Sequence, residues 1–106
     1  MARPLINVPA KAKKGEVVDI KILISHPMES GQRRDNSGQP IARDIINLLV
    51  CTYNDTEVFR AELFPAIAAN PFLSFCTVAT ETGTLKFTWT DDHGTVDTAT
   101  APIEVT

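Results

Sequence analysis

The feature that most constrains this chain is a period of two. In residues 16–25, EVVDIKILIS, Val18, Ile20, Ile22 and Ile24 fall on one side, with Asp19 and Lys21 on the other. That alternation is the mark of a strand with one face buried. The stretch TLKFTWTD repeats it, with Leu85, Phe87 and Trp89 inward and Lys86, Thr88 and Thr90 outward. Residues 45–53, IINLLVCTY, are too apolar for clean alternation, and VFRAELF at 58–64 alternates again after the turn formers Asn54 and Asp55, so these two runs pair most simply as a hairpin. LSFCTVAT at 73–80, TATAPIEVT at 98–106 and a short run from Leu5 to Val8 complete about seven strands. Pro102 confines the last of them to an edge or a bulge. No segment sustains a helical period. Short strands spaced by turns such as ETG at 81–83 and DDHG at 91–94 predict an all-β fold, an immunoglobulin-like antiparallel β-sandwich.

At 106 residues the chain suits one domain spanning 1–106, large enough to bury a core. Apolar residues at 43% and charged ones at 22% are those of an ordinary globule. A formal charge of -3 provides no basic field for phosphate backbones, although Lys11, Lys13 and Lys14 cluster near the start, so nucleic acid is not an expected partner. The apolar runs fall short of the roughly 20 residues that span a bilayer, so no membrane association is expected. MARPLINVPA lacks a basic region followed by a sustained apolar stretch, so no secretory signal is legible. Taken alone, that predicts a cytoplasmic protein.

No catalytic, cofactor-binding or metal-ligating residues are predicted. His26 ends a strand and His93 sits in an Asp-His-Gly turn, neither in a metal-ligand or triad spacing. The expected roles are a strand-end or exposed imidazole for His26 and a solvated turn residue for His93. The pairs Asp91 with Asp92 and Glu29 with Asp35 lack an accompanying base or pocket. No glycine-rich phosphate loop, Cys-x-x-Cys or nucleophile elbow occurs. Cys51 lies in the most apolar strand and Cys76 beside Phe75. Inert packing is the expectation for both thiols, and an internal bridge or a bridge to a partner is the alternative. The cysteines fall on the third and fifth expected strands, whereas the immunoglobulin disulfide joins the second and sixth.

Two irregular stretches stand out. SHPMESGQRRDNSGQPIARD, 25–44, is long enough to be functional or mobile. Within it Arg33 and Arg34 either attract an anionic group or are solvated turn charges. FPAIAANPF, 64–72, is uncharged and holds Pro65 and Pro71, which lower the entropy lost when the loop is fixed. Its alanines let another backbone approach, and Phe64 and Phe72 are of the type favoured at interface centres. The loop either docks a partner through Phe64, Pro65, Ile67, Asn70, Pro71 and Phe72, or plugs one end of the sandwich with Phe64, Ile67 and Phe72.

The segments ISHPMESGQRRD, RDIINLLVCTYN, EVFRAELFPAIAANPFLSF and GTLKFTWTDDHG, in this order, together resemble the SoxZ family over nearly the whole chain. That family is the small subunit of the SoxYZ carrier of sulfur oxidation. The resemblance implies a β-sandwich without catalytic groups of its own, forming a heterodimer with a SoxY-type subunit. The partner carries covalent sulfur intermediates from thiosulfate on a cysteine in a glycine-rich C-terminal arm, and passes them between periplasmic Sox enzymes. This sequence ends in PIEVT and has no such arm, which places it on the SoxZ side. The resemblance replaces the cytoplasmic expectation with a periplasmic one, by export bound to a signal-bearing partner, and leaves open a homodimer in isolation. Two alternatives stand beside it: a generic immunoglobulin-like interaction module, because fold does not imply function, and a thiol redox protein using Cys51 or Cys76.

Overall fold

The computed structural model describes residues 4–106; the first three residues of the expected 1–106 domain lie outside the described part. Eight strands occur and no helix among the described residues: β1 (Pro4–Asn7), β2 (Lys11–Ala12), β3 (Val17–Ile24), β4 (Ile46–Tyr53), β5 (Thr56–Glu62), β6 (Phe72–Val78), β7 (Gly83–Asp91) and β8 (Val96–Val105). They form a three-stranded sheet in the order β1-β3-β6 and a five-stranded sheet in the order β2-β8-β7-β4-β5. Seven of the eight match the expected strands, with ends that differ by a few residues. The eighth, β2, is a two-residue strand that pairs parallel to the end of β8, Lys11 with Glu104 and Ala12 with Val105. Because β2 reaches only those positions, Pro102 sits on an otherwise free edge of β8, where its missing N–H costs no ladder bond.

The alternation in the sequence is the alternation of burial. Val18, Ile20, Ile22 and Ile24 of β3 face Leu85, Phe87 and Trp89 of β7 across one core, and none of the seven is more than 3% exposed. Fully burying side chains of this size contributes about 1.5–3 kcal/mol each. The apolar run of β4 fails to alternate for a local reason. Its pairing with β7 shifts between Ile46 and Leu48, and this irregularity turns both Ile46 and Leu49 inward although they are three residues apart.

The β4–β5 hairpin turns on Asn54 and Asp55, both left-handed (φ 47° and 69°), the geometry that matches strand twist in a two-residue loop. Asn54 then spends its side chain on the neighbouring turn: Oδ1 accepts Thr84 N–H at 2.9 Å. Gly83 is needed beneath it, since a Cβ there would lie 1.8 Å from that oxygen. The buried Tyr53 hydroxyl accepts the N–H groups of Thr80 and Glu81, each at 3.3 Å, and donates to the Glu81 carbonyl, fixing the β6–β7 turn. The open side between β5 and β6 is closed by Phe59 and Phe75, whose rings stack with centroids 4.2 Å apart.

Candidate docking surface and the acidic cleft beside it

Leu63 is the last buried residue before the uncharged loop, 5% exposed, with its N–H donated to Asn47 O at 2.9 Å. From there the chain leaves the core. Phe64 is 63% exposed, Ile67 38% and Phe72 56%, so Leu63 and not these three closes this part of the sandwich. The loop is nevertheless held in one shape. Ile67 N–H donates to Phe64 O at 3.0 Å, and Asn70, left-handed at φ 56°, exchanges two bonds with the end of β3. Its N–H donates to His26 O at 2.8 Å and its Oδ1 accepts His26 N–H at 3.0 Å. Asparagine tolerates that backbone better than most residues. Ile24 N–H donates to Pro71 O at 3.0 Å, and Pro71 is buried. Of the six residues expected to meet a partner, Phe64, Ile67 and Phe72 therefore present apolar surface. Asn70 and Pro71 anchor the loop, and Pro65 is half-buried between them and Leu63.

The apolar surface extends beyond the loop. Cross-strand register places Leu5 opposite Leu23, and Leu23 opposite Phe72, a row across all three strands of the smaller sheet. Its ends are open, Leu5 at 70% and Phe72 at 56% exposed. No local signal marks Leu5 and Leu23 as part of one row, although alternation with the inward Ile6, Ile22 and Ile24 puts them on the outer face.

The two cysteines are free and face opposite ways. Cys51 is fully buried, and burial alone pushes its thiol up to about 12. Cys76 is exposed, which corrects the expectation of buried packing: Phe75 turns inward, so its neighbour must turn out. There the Cys76 thiol donates to Asp19 Oδ1 at 3.0 Å across the β3–β6 pair, and that bond to a carboxylate raises its pKa first, desolvation second. Neither setting favours a thiolate. A thiol reagent should therefore label one cysteine of the native chain, Cys76, more slowly than a free thiol, and Cys51 only on unfolding. The folded Cys51 pKa lies above the ordinary 9.0, so its stabilising share is intact below pH 9 and is lost as pH rises from there towards about 12. Denaturant midpoints across that window, with Cys51→Ala as the control, measure it. Rapid labelling of both thiols in the native chain would contradict this account.

Arg33 and Arg34 already have partners. Arg33 pairs with Glu29, lowering the Glu29 pKa, and Arg34 donates to Gly38 O at 2.7 Å. Asp35 closes its own turn, accepting Ser37 N–H and Gln39 N–H at 2.9 and 3.0 Å.

At the same end as the loop, Asp92 ties the long 25–44 excursion to β7. Its carboxylate accepts Arg43 Nε at 2.8 Å, Ile45 N–H at 3.1 Å and Asn47 Nδ2 at 3.1 Å, and the Arg43 guanidinium leads in holding it far below the usual carboxylate range. Beside it a cleft of about 320 Å³ is lined by His26, Asp44, Trp89, Asp91 and Asp97, among others. The expectation that Asp91 has no base or pocket near it does not survive folding. One ligand atom each from His26, Asp44 and Asp91 lie within 4.8 Å of one another, and His93 Nε2 lies 3.4 Å from Asp44 Oδ2.

Two sheets packed around one apolar core define the class, an all-β immunoglobulin-like sandwich domain. A family model described as sulphur oxidation protein SoxZ matches residues 6–102, and the chain belongs to that family. No curated protein matches it by sequence. Among solved structures, a superoxide reductase (neelaredoxin) from Ignicoccus hospitalis is similar at 18% identity and a TM-score of 0.74, covering 97% of this chain and 80% of that one. A putative superoxide reductase from Thermotoga maritima is similar at 18% identity and 0.75, covering 97% and 85%. The sulfur carrier protein SoxY from Chlorobium limicola f thiosulfatophilum is similar at 16% identity and 0.70, covering 97% and 78%. At these identities the likeness is one of fold.

Proposed function

We propose that this chain is the non-catalytic subunit of a SoxYZ-type sulfur carrier in thiosulfate oxidation. It binds and presents a SoxY-type partner, and the sulfur intermediates are carried on the partner's C-terminal cysteine. Membership of the SoxZ family supports the pathway. The observation that carries the division of labour is the state of the thiols: one is buried and the other bonded to a carboxylate, both with raised pKa. A covalent sulfur carrier needs a thiolate, so the carrying cysteine belongs on the other subunit.

The contact surface comprises Phe64, Pro65, Ile67 and Phe72, continued by Leu5 and Leu23 on the outer face of the smaller sheet, with Asn70 and Pro71 holding the loop in place. An apolar row next to an entropically restrained loop is suited to binding, since little order remains to be lost. The working compartment is the periplasm, reached together with the partner. Co-expression with a SoxY-type protein should give a one-to-one complex that persists through size-exclusion chromatography. Separate elution of the two chains at micromolar concentration would overturn the proposal.

A further inference from the structure

The cleft below the loop holds two buried polar atoms that no group among the described residues satisfies. Asp44 Oδ1 and Trp89 Nε1 have no hydrogen-bond partner, and both residues line the same cleft. A buried carboxylate oxygen without a donor or cation is costly, and such an atom in a native fold calls for a bound water or ion. The lining favours a cation. It carries three carboxylates, Asp44, Asp91 and Asp97, and no lysine or arginine; the nearby Arg43 is engaged with Asp92. The imidazole facing them belongs to His26, whose side chain is only 10% exposed. Its Nε2 makes no hydrogen bond and stands 3.8 Å from Asp44 Oδ1, beyond bonding range.

We propose that this cleft is a binding site for a divalent first-row metal ion such as Zn²⁺ or Mn²⁺, held by His26 Nε2, Asp44 and Asp91. His93, 67% exposed and already 3.4 Å from Asp44, closes in as a fourth ligand. An imidazole nitrogen with carboxylate oxygens is a donor set for borderline divalent ions. The ion gives Asp44 Oδ1 its positive partner, and a water on the ion gives the Trp89 indole an acceptor. Asp91 is positioned for this by its own turn, since its Oδ1 accepts His93 N–H at 2.9 Å and Thr95 N–H at 3.0 Å, leaving Oδ2 without a hydrogen bond among the described residues.

Coordination has one local cost that serves as a signature. His26 Nδ1 accepts Met28 N–H at 3.0 Å, so the neutral ring carries its proton on Nε2. Taking the ion through Nε2 moves that proton to Nδ1, and two N–H groups cannot face each other at that distance. The Met28 amide must then give up this partner. The site is independent of the partner-docking reading, and its test needs no partner.

The experiment is calorimetric titration of the purified chain with ZnCl₂ and with MnCl₂, paralleled by amide NMR. One equivalent of at least one ion should bind, with Met28 among the most shifted amides. Asp44→Asn and His26→Gln should each weaken binding about 10-fold or more, on the scale seen when metal-site groups are removed. His93→Gln lies on an exposed side chain and guards against a folding artefact; it should weaken binding with an unchanged melting curve. Asp35→Asn and Cys76→Ser should leave the isotherm as it was. No binding of either ion would mean that the cleft holds a water only and would overturn the proposal. So would binding that survives Asp44→Asn, or that is lost with Cys76→Ser.

Discussion

Leu63→Ala should cost the isolated chain about 2–5 kcal/mol, the range for deleting a buried leucine side chain. The same change at Ile67, four residues on, should cost no more than about 0.5 kcal/mol, as for surface positions away from special features. The two residues flank a sharp boundary. Leu63 is 5% exposed with its N–H bonded to Asn47 O, whereas Ile67 is 38% exposed in a turn closed on Phe64 O. Urea unfolding of the two variants makes the comparison directly. Equal losses would mean that Ile67 belongs to the core and that the loop exists to close the sandwich.

Ile67→Asp should then leave the chain folded and weaken its complex with a SoxY-type subunit by about 2 kcal/mol or more, roughly 30-fold in Kd. The charge would be stripped of water on docking with no partner to receive it. Phe72→Asp should act similarly through the Leu5–Leu23–Phe72 row, where the aspartate would stand at an exposed edge of β6. Isothermal titration with each variant separates the loop from the row. If Ile67→Asp binds normally and Phe72→Asp does not, the interface is the sheet face alone. If both bind normally, this end of the molecule is not the contact.

Much of the fold was legible because burial in a sandwich follows the strand period. Val18 to Ile24 and Leu85 to Trp89 can be assigned to the core by alternation alone. What escaped has specific physical causes. β2 is two residues long and owes its existence to the free end of β8, which no local pattern announces. The inward pair Ile46 and Leu49 depends on a pairing irregularity with β7. The exposure of Cys76 is masked in the sequence by its apolar neighbour Phe75, although in a strand the neighbour of an inward residue faces out. The 64–72 loop is recognisable in the sequence as uncharged and proline-bounded, but its anchoring through Asn70 to the backbone of His26 spans 44 positions. The acidic cleft was invisible for a similar reason. His26 follows β3, Asp44 precedes β4 and Asp91 ends β7; only the pairing of β4 with β7, Ile46 opposite Asp91, brings those ends together beside β3.

The central claim is that this subunit positions sulfur chemistry without taking part in it. The direct measurement is intact-mass analysis of both chains after the complex is loaded with sulfur by its thiosulfate-oxidising enzymes. The account predicts sulfur adducts on the partner's C-terminal cysteine alone, with this chain at its unmodified mass and loading unchanged by Cys51→Ala or Cys76→Ser. A stoichiometric sulfur adduct on Cys76 or Cys51 of this chain, formed during turnover and lost with the matching substitution, would contradict it.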